Sequence, residues 1–434
     1  MIALFILVFL KMTPCVQAKS LLTLESAIEE GLLRSPQIQK SKAQVEEAAW
    51  KRSEILGLGF LPKLSVSGTH YLATQYSISI ISTMGNFPGF YPITTLSADI
   101  SIPLFDGLAN VIHLNAAGLN EEAVRKEASY AEFQLKKEIQ LAFHQALAAE
   151  QLYAVAEENV RTLEEHLHQV KTQQNGGSAT QYDVLRVEVQ LSDGKADAID
   201  SQDVVVLARR KLTQFMGLEA DVRSIRGVLP IPNEARVKTL KEEDILSVRE
   251  DIQALDLRTD AANRFRTAKK LWAVPVISLG GQYLLYDQQQ VNFATSGVSN
   301  TGNFQSAYNV GLFLKWNLFD GGVSVADANQ LGAQEVIVKK NAEIAKIAVP
   351  YDFEYWKRRY LSNTDHYLSK KFDIQRSQES VRLAREEERA GSRTSTETLD
   401  AELDLFRARA GAITSQVNAS EAQIRLELVL GRNI

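Results

Sequence analysis

Cysteine is almost missing: Cys15 stands alone in 434 residues. A disulfide scaffold is excluded, and so is any thiolate zinc cluster. Long apolar runs are missing too. The longest, residues 2–10 (IALFILVFL), is half the length a bilayer-spanning helix needs. A basic excess is absent, since 48 Lys and Arg face 53 Asp and Glu for a net charge of −5. That balance argues against a nucleic-acid partner. Catalytic motifs are absent as well: there is no phosphate loop and no Gly-x-Ser-x-Gly elbow. Gly57-Leu58-Gly59 ends a helical pattern and precedes a strand, the wrong context for a dinucleotide. The histidines are His70, His113, His144, His166, His168 and His366. His166 and His168 diverge on a helix, so no metal site is expected. Neither an enzyme nor a cofactor is expected. Proline is sparse, and residues 107–174 contain none.

What is present begins with a targeting signal. Residues 2–10 have the size of a signal-peptide apolar region, and Val16-Gln17-Ala18 offers cleavage after residue 18. No Lys or Arg precedes the run, and Lys11 follows it, which is off-pattern. The expectation is a signal peptide at residues 1–18 and a mature chain without cysteine, suited to an oxidising periplasm.

The remainder reads as one unit written twice. Gly177-Ser178-Ala179-Thr180 returns as Gly391-Ser392-Arg393-Thr394, 214 residues on. Leu104-Phe105-Asp106-Gly107 returns as Leu318-Phe319-Asp320-Gly321, Met216-Gly217 as Leu430-Gly431, and Ile38-Gln39 as Ile252-Gln253, all at the same offset. Pro62 and Pro275 are 213 apart. The repeats are assigned to residues 19–218 and 234–434, joined by a linker at 219–233 carrying Pro230 and Pro232.

Each repeat reads helix, strand, strand, long helix, helix. In the first, a helix over 35–56 is broken at Leu61-Pro62. Apolar and polar residues alternate over 62–73 and 96–104, and again over 275–286 and 307–318, with Phe313 on the polar side. Each strand has about the 9–11 residues that cross a membrane when tilted. Residues 75–95 and 287–306 read as polar loops. Phe60, Phe105, Trp272, Trp316 and Phe319 gather at the opposite strand ends, as in an interfacial aromatic girdle. Helices are expected over 107–174 and 178–216, then over 322–390 and 394–430. The first of these, if unbroken, would be about 100 Å long at 1.5 Å per residue. Pro350 should kink its counterpart near Lys346. Ala156, Val160, Leu163, Leu167 and Val170 form a heptad seam, as do Leu399, Leu403, Phe406, Ala410, Ile413 and Val417.

Four strands cannot close a membrane barrel, and open edges cannot face lipid. If the strands cross a membrane, several chains share one barrel. Two chains would give eight strands and three would give twelve. The competing reading is a soluble periplasmic coiled-coil adaptor or interaction protein.

The duplicated unit, the two LFDG turns and the two G-[ST]-x-[ST] signatures together resemble the TolC family of outer-membrane efflux proteins, over essentially the whole mature chain. The resemblance implies a mixed α/β membrane protein: a homotrimer with a 12-stranded β-barrel, four strands per protomer, continued by a periplasmic α-helical coiled-coil tunnel. It implies an exit duct for tripartite efflux or type I secretion. Its partners would be a periplasmic adaptor (membrane fusion) protein, an inner-membrane RND, ABC or MFS transporter, and outer-membrane lipid. Gly176, Gly177, Ser178, Gly391, Ser392 and Thr394 would form the adaptor-docking tips. Arg393 would be a constriction arginine, Glu397 and Asp400 an acidic ring, and Asp183 a partner in the closing contacts. Glu397 is one carbon longer than the family's aspartate, and Glu388 stands where a tyrosine is frequent. Repulsion around such a ring should raise some of these pKa values. Pro62, Pro103, Asp106, Gly107, Pro275, Asp320 and Gly321 would make the barrel-to-helix turns.

Overall fold

A computed structural model describes residues 21–72, 77–79, 86–88, 94–219, 223–241, 245–292 and 297–434. The expected signal peptide lies outside the described residues. The chain forms two compact units, one from residues 1–41, 128–250 and 347–434, the other from 42–127 and 251–346. They do not coincide with the sequence repeats. Each repeat contributes to both units, because the long helices pass from one into the other.

The unit of residues 42–127 and 251–346 carries the sheet. Its strands are β1 Lys63–His70, β4 Thr94–Phe105, β5 Val276–Asn292 and β6 Gly297–Lys315, antiparallel in the order β1-β4-β5-β6. The central β4–β5 pairing joins the two repeats. Register explains the alternation in the sequence. Leu64 pairs with Ile100, Ile100 with Gly281 and Gly281 with Val310. Val66, Ala98, Tyr283 and Tyr308 form the next row on that face. The opposite face carries Ser67, Ser97, Asp99 and Gln282, linked by side-chain hydrogen bonds of 2.7–2.9 Å. A one-residue slip would exchange the faces, so the apolar row fixes the register. Phe313, the exception on the polar face, lies over Gly280, where a Cβ would come within 2.7 Å of its ring.

Two loop assignments are corrected. Residues 287–292 and 297–306 belong to β5 and β6, with Asp287 opposite Phe304 and Val291 opposite Val298. The backbone ladder continues after the apolar alternation stops, because pairing needs no apolar face. In the other loop, β2 Ser77–Ser79 pairs with β3 Asn86–Pro88. The first strand is also shorter than expected and β4 longer. The β4–β5 register shifts between Pro103 and Phe105, a bulge where proline has no N–H to contribute.

Both strand-to-helix turns use an aspartate and left-handed residues. Asp106 Oδ2 accepts from the Asn110 N–H at 2.6 Å. Asp320 accepts from the N–H groups of Gly322 and Ser324 at 3.1 and 3.0 Å. Gly321 and Gly322 have φ of 72° and 86°, but Gly107 is followed by Leu108 at φ 69°. Helices flank the sheet: α2 Pro36–Phe60, α3 Ala109–Asn175, α7 Glu250–Lys270 and α8 Val323–Arg389. Proline sits at the first position of α2, where its missing N–H costs nothing. Pro350 lies inside α8, which is not interrupted at Lys346. One fastening occurs twice. Arg52 passes over Gly118 to Glu121 at 3.2 Å, and Arg266 passes over Gly332 to Glu335 at 2.8 Å. All three positions recur at 214.

The other unit holds the apolar core, with Phe143, Leu135, Ile139, Leu212 and Met216 buried. To it belong α1 Leu24–Arg34, α4 Gln181–Phe215, α9 Ser395–Leu430 and the short α5 Glu234–Lys238 and α6 Ile245–Val248. α1 escaped the sequence reading. It begins with a Thr23–Ser26 capping box. The expected linker is packed: Leu229 is buried, Ile225 bridges to Leu22, and Gln416 donates to the carbonyls of Leu229 and Pro230. α3 and α9 meet through a buried Lys137–Glu427 ion pair and a 2.6 Å hydrogen bond between His144 and Ser420. Burial pushes the His144 pKa down to about 4, with Lys137 adding to the effect.

Candidate functional site

The two G-[ST]-x-[ST] signatures are helical hairpins of one construction. α3 ends with Gly177 left-handed, at φ 81°. Its N–H donates to Gln174 O at 2.9 Å, and the Ser178 N–H donates to Gln173 O at 2.9 Å. This is a Schellman motif. Ser178 Oγ adds a bond to the same carbonyl at 3.1 Å. Two residues later Thr180 caps α4, and Asp183 returns the bond to the Thr180 N–H at 2.9 Å. At the second hairpin Gly391 has φ 77°, its N–H donates to Glu388 O at 2.9 Å, and Ser392 donates to Glu387 O at 3.0 Å. Thr394 caps α9 and Glu397 returns the bond at 3.0 Å. The signature is therefore a stop and a start. Glycine supplies the left-handed residue, serine closes the old helix, threonine opens the new one, and an acid three residues later completes the box.

This geometry accounts for the local setting of Asp183 and Glu397. The Thr180 hydroxyl, then its N–H, hold the Asp183 carboxyl below the usual range. The Thr394 N–H, then its hydroxyl, do the same for Glu397. Within one chain the shift is downward, opposite to the rise expected from an acidic ring, because each carboxylate accepts cap hydrogen bonds. Asp400 is paired: Arg186 Nη2 lies 3.0 Å from its Oδ1. These two positions are repeat equivalents, 214 apart. Arg393 lies 3.3 Å from Glu387 and 4.0 Å from Glu397.

The hairpins also touch each other. Thr396 donates to Asp183 at 3.3 Å and Gln173 to Glu388 at 3.2 Å. Beneath them lies a buried network that sequence reasoning missed. His166 of α3 is within 3.0 Å of Ser395 Oγ through Nε2 and 3.5 Å of Glu402 Oε2 through Nδ1. Arg385 donates twice to Glu402 Oε1, at 2.8 and 2.7 Å. Glu402 Oε2 accepts no hydrogen bond within the chain, and His166 Nδ1 is the ionisable neighbour that approaches it. In the first hairpin the equivalent pair, Lys171 and Glu188, is half-exposed. The doubled Arg/Lys–Glu spacing was the signal available. The histidine, 229 residues from Ser395, gave none.

The chain-wide comparisons agree with this architecture. The family model described as outer membrane efflux protein matches residues 27–218 and 243–432. The solved structure of VceC from Vibrio cholerae is similar, with TM-score 0.76 and 17% identity over 94% of this chain and 96% of that one. The CmeC outer membrane channel of Campylobacter jejuni gives 0.76 and 13%, over 94% and 85%. The open state of the MtrE outer membrane channel of Neisseria gonorrhoeae gives 0.72 and 17%, over 94% and 89%. No curated protein matches the chain significantly.

Proposed function

The chain belongs to the outer membrane efflux protein family, and from that membership we propose that it is the passive exit duct of a tripartite efflux or type I secretion system. It resides in the outer membrane with its helical part in the periplasm. Three copies supply twelve strands to one barrel, and their hairpins form the periplasmic tip where the duct closes. A periplasmic adaptor engages that tip at Gly176, Gly177, Ser178, Gly391, Ser392 and Thr394. An RND, ABC or MFS transporter in the inner membrane supplies the driving force.

The observation that carries this reading is the sheet. One face is apolar and exposed: Leu64, Val310, Leu312 and Tyr308 are each more than two-thirds accessible. The other face is polar, and β1 and β6 each have a single neighbour in the four-stranded sheet. In hydrocarbon the unpaired backbone of those edges costs several kcal/mol per group, which closure with other copies removes. The apolar face then meets lipid and the Ser67–Asp99–Gln282 face meets water.

Recordings in planar bilayers test the duct. The purified protein should give discrete conductance steps. Arg393→Ser should raise the step several-fold by releasing Glu387 and Glu397. Asp400→Ala should weaken block by multivalent cations. A protein that inserts and never conducts contradicts the duct, and unchanged values in the two variants remove those residues from the constriction.

A further inference from the structure

The polar face of the sheet carries two glycines side by side. Gly280 of β5 pairs with Gly311 of β6, in a row that continues through Ser101 to Lys63. Glycine inside a strand costs roughly 0.5–1 kcal/mol relative to alanine, and it marks a bulge, a left-handed residue or a close approach to the backbone. No bulge lies here, since the β5–β6 register runs unbroken from Val276 to Asp287. Neither glycine is left-handed. Gly280 is explained by its neighbour, because the Phe313 ring lies over it. Gly311 is not, because a Cβ there would meet nothing within 4 Å. The result is a bare strip of backbone with a half-exposed aromatic ring along one edge.

Two cations flank the strip. Lys63 closes the same row, and Lys315 follows Phe313 by two residues on the same face. Among the described residues neither lysine has an ion-pair partner. The acids nearest in sequence serve elsewhere: Asp106 and Asp320 accept from the first N–H groups of the following helices. Asp99, one row away on this face, is held by Ser97 and Gln282. Free ammonium groups beside an exposed ring and bare peptide planes complement a flat apolar body with one negative charge. We propose that the Gly280–Gly311 strip, edged by Phe313 and flanked by Lys63 and Lys315, is a transit site for planar aromatic monoanions. In the closed barrel this face meets the lumen, and β6 lies beside β1 of the next copy, so the lysine-bearing ends of both strands share one seam. Lysine is a mobile point charge without a fixed fork, so a carboxylate and a sulfonate both suit it. A second negative charge on the solute would lie against Asp99 and is disfavoured. Binding is weak, because a solute in transit must leave as readily as it enters.

The inference rests on the duct reading above and names a class of solute for it. Calorimetric titration of the full-length protein in nanodiscs of zwitterionic lipid, corrected with empty nanodiscs, tests it with naphthalene-2-sulfonate as the probe. Saturable binding is expected, with a dissociation constant of about 1 mM. Gly311→Val fills the strip with a residue that suits a strand, and should weaken binding by about tenfold or more. Lys63→Gln with Lys315→Gln should do the same by removing the charge. Uncharged naphthalene-2-methanol and ring-free methanesulfonate should not saturate. Binding that is absent, that is equal in the wild type and both variants, or that the uncharged naphthalene matches overturns the site. Planar bilayers separate that failure from failure of the duct. Discrete conductance without saturable binding removes the site and leaves the duct standing. Saturable binding, lost in both variants, in a protein that never conducts contradicts the duct and upholds the strip as a binding surface.

Discussion

The two hairpins share a frame and differ in their interiors. Both end a helix on a left-handed glycine and open the next with a threonine–acid box. The first is filled by Leu163, Val170, Val184 and Val187. The matching positions in the second are Ser377, Ala384, Thr398 and Ala401. There, charge replaces bulk: Glu402 is buried between Arg385 and His166, while its counterpart Glu188 faces water beside Lys171. Duplication preserved what the backbone requires and let the packing diverge. The hairpin with small residues and a buried polar network has less apolar surface to lose on moving.

The largest break in this comparison should come from His166→Leu. It leaves the Ser395 hydroxyl without its buried partner and removes the imidazole from beside Glu402, at a cost of about 2–3 kcal/mol. Amide exchange over residues 395–403 should accelerate by about two orders of magnitude if local opening carries the whole cost. Lys171→Ala, in the half-exposed counterpart, should change exchange by less than about threefold. Equal effects would dissolve the distinction between the hairpins. Next in size are the caps. Thr180→Ala and Thr394→Ala should each cost about 1 kcal/mol, measured as faster exchange at the start of α4 and of α9. Here the hairpins should behave alike.

The same caps fix a pH dependence. The folded pKa values of Asp183 and Glu397 are depressed. Their contribution is therefore complete above the unfolded values near 4 and disappears as pH falls through the folded ones. Exchange protection at both helix starts, corrected for intrinsic rates, should be flat from pH 8 to about 5 and fall below about 4. Loss already at pH 6 would contradict the assignment. The smallest effect belongs to the strand-to-helix turns. Leu108→Gly puts glycine where the second repeat has Gly322, and should stabilise by up to about 1 kcal/mol once glycine's own entropy is subtracted. A lower melting temperature in that variant would mean that the leucine side chain outweighs its strain.

Much of this was legible in sequence because it is local. The Leu-Phe-Asp-Gly turns, the hairpin signatures and the strand alternation are short patterns with fixed chemistry, and duplication made weak signals additive. The boundary of β5 was lost because its polar end carries no alternation. Packing was lost for a different reason: His166 reaches Ser395 and Glu402 across more than 200 residues, and no period announces such a contact. The Arg52–Gly118–Glu121 fastening was readable in principle, since each member recurs at 214.

On the proposed assembly, four strands per chain become a membrane barrel only when copies combine. Light scattering on the detergent-extracted protein, corrected for bound detergent, tests it most directly. The prediction is a membrane-fraction protein of three protomer masses, with none recovered in the soluble periplasm. A soluble species of one protomer mass would contradict it, because the sheet edges would then be satisfied within a single chain in water.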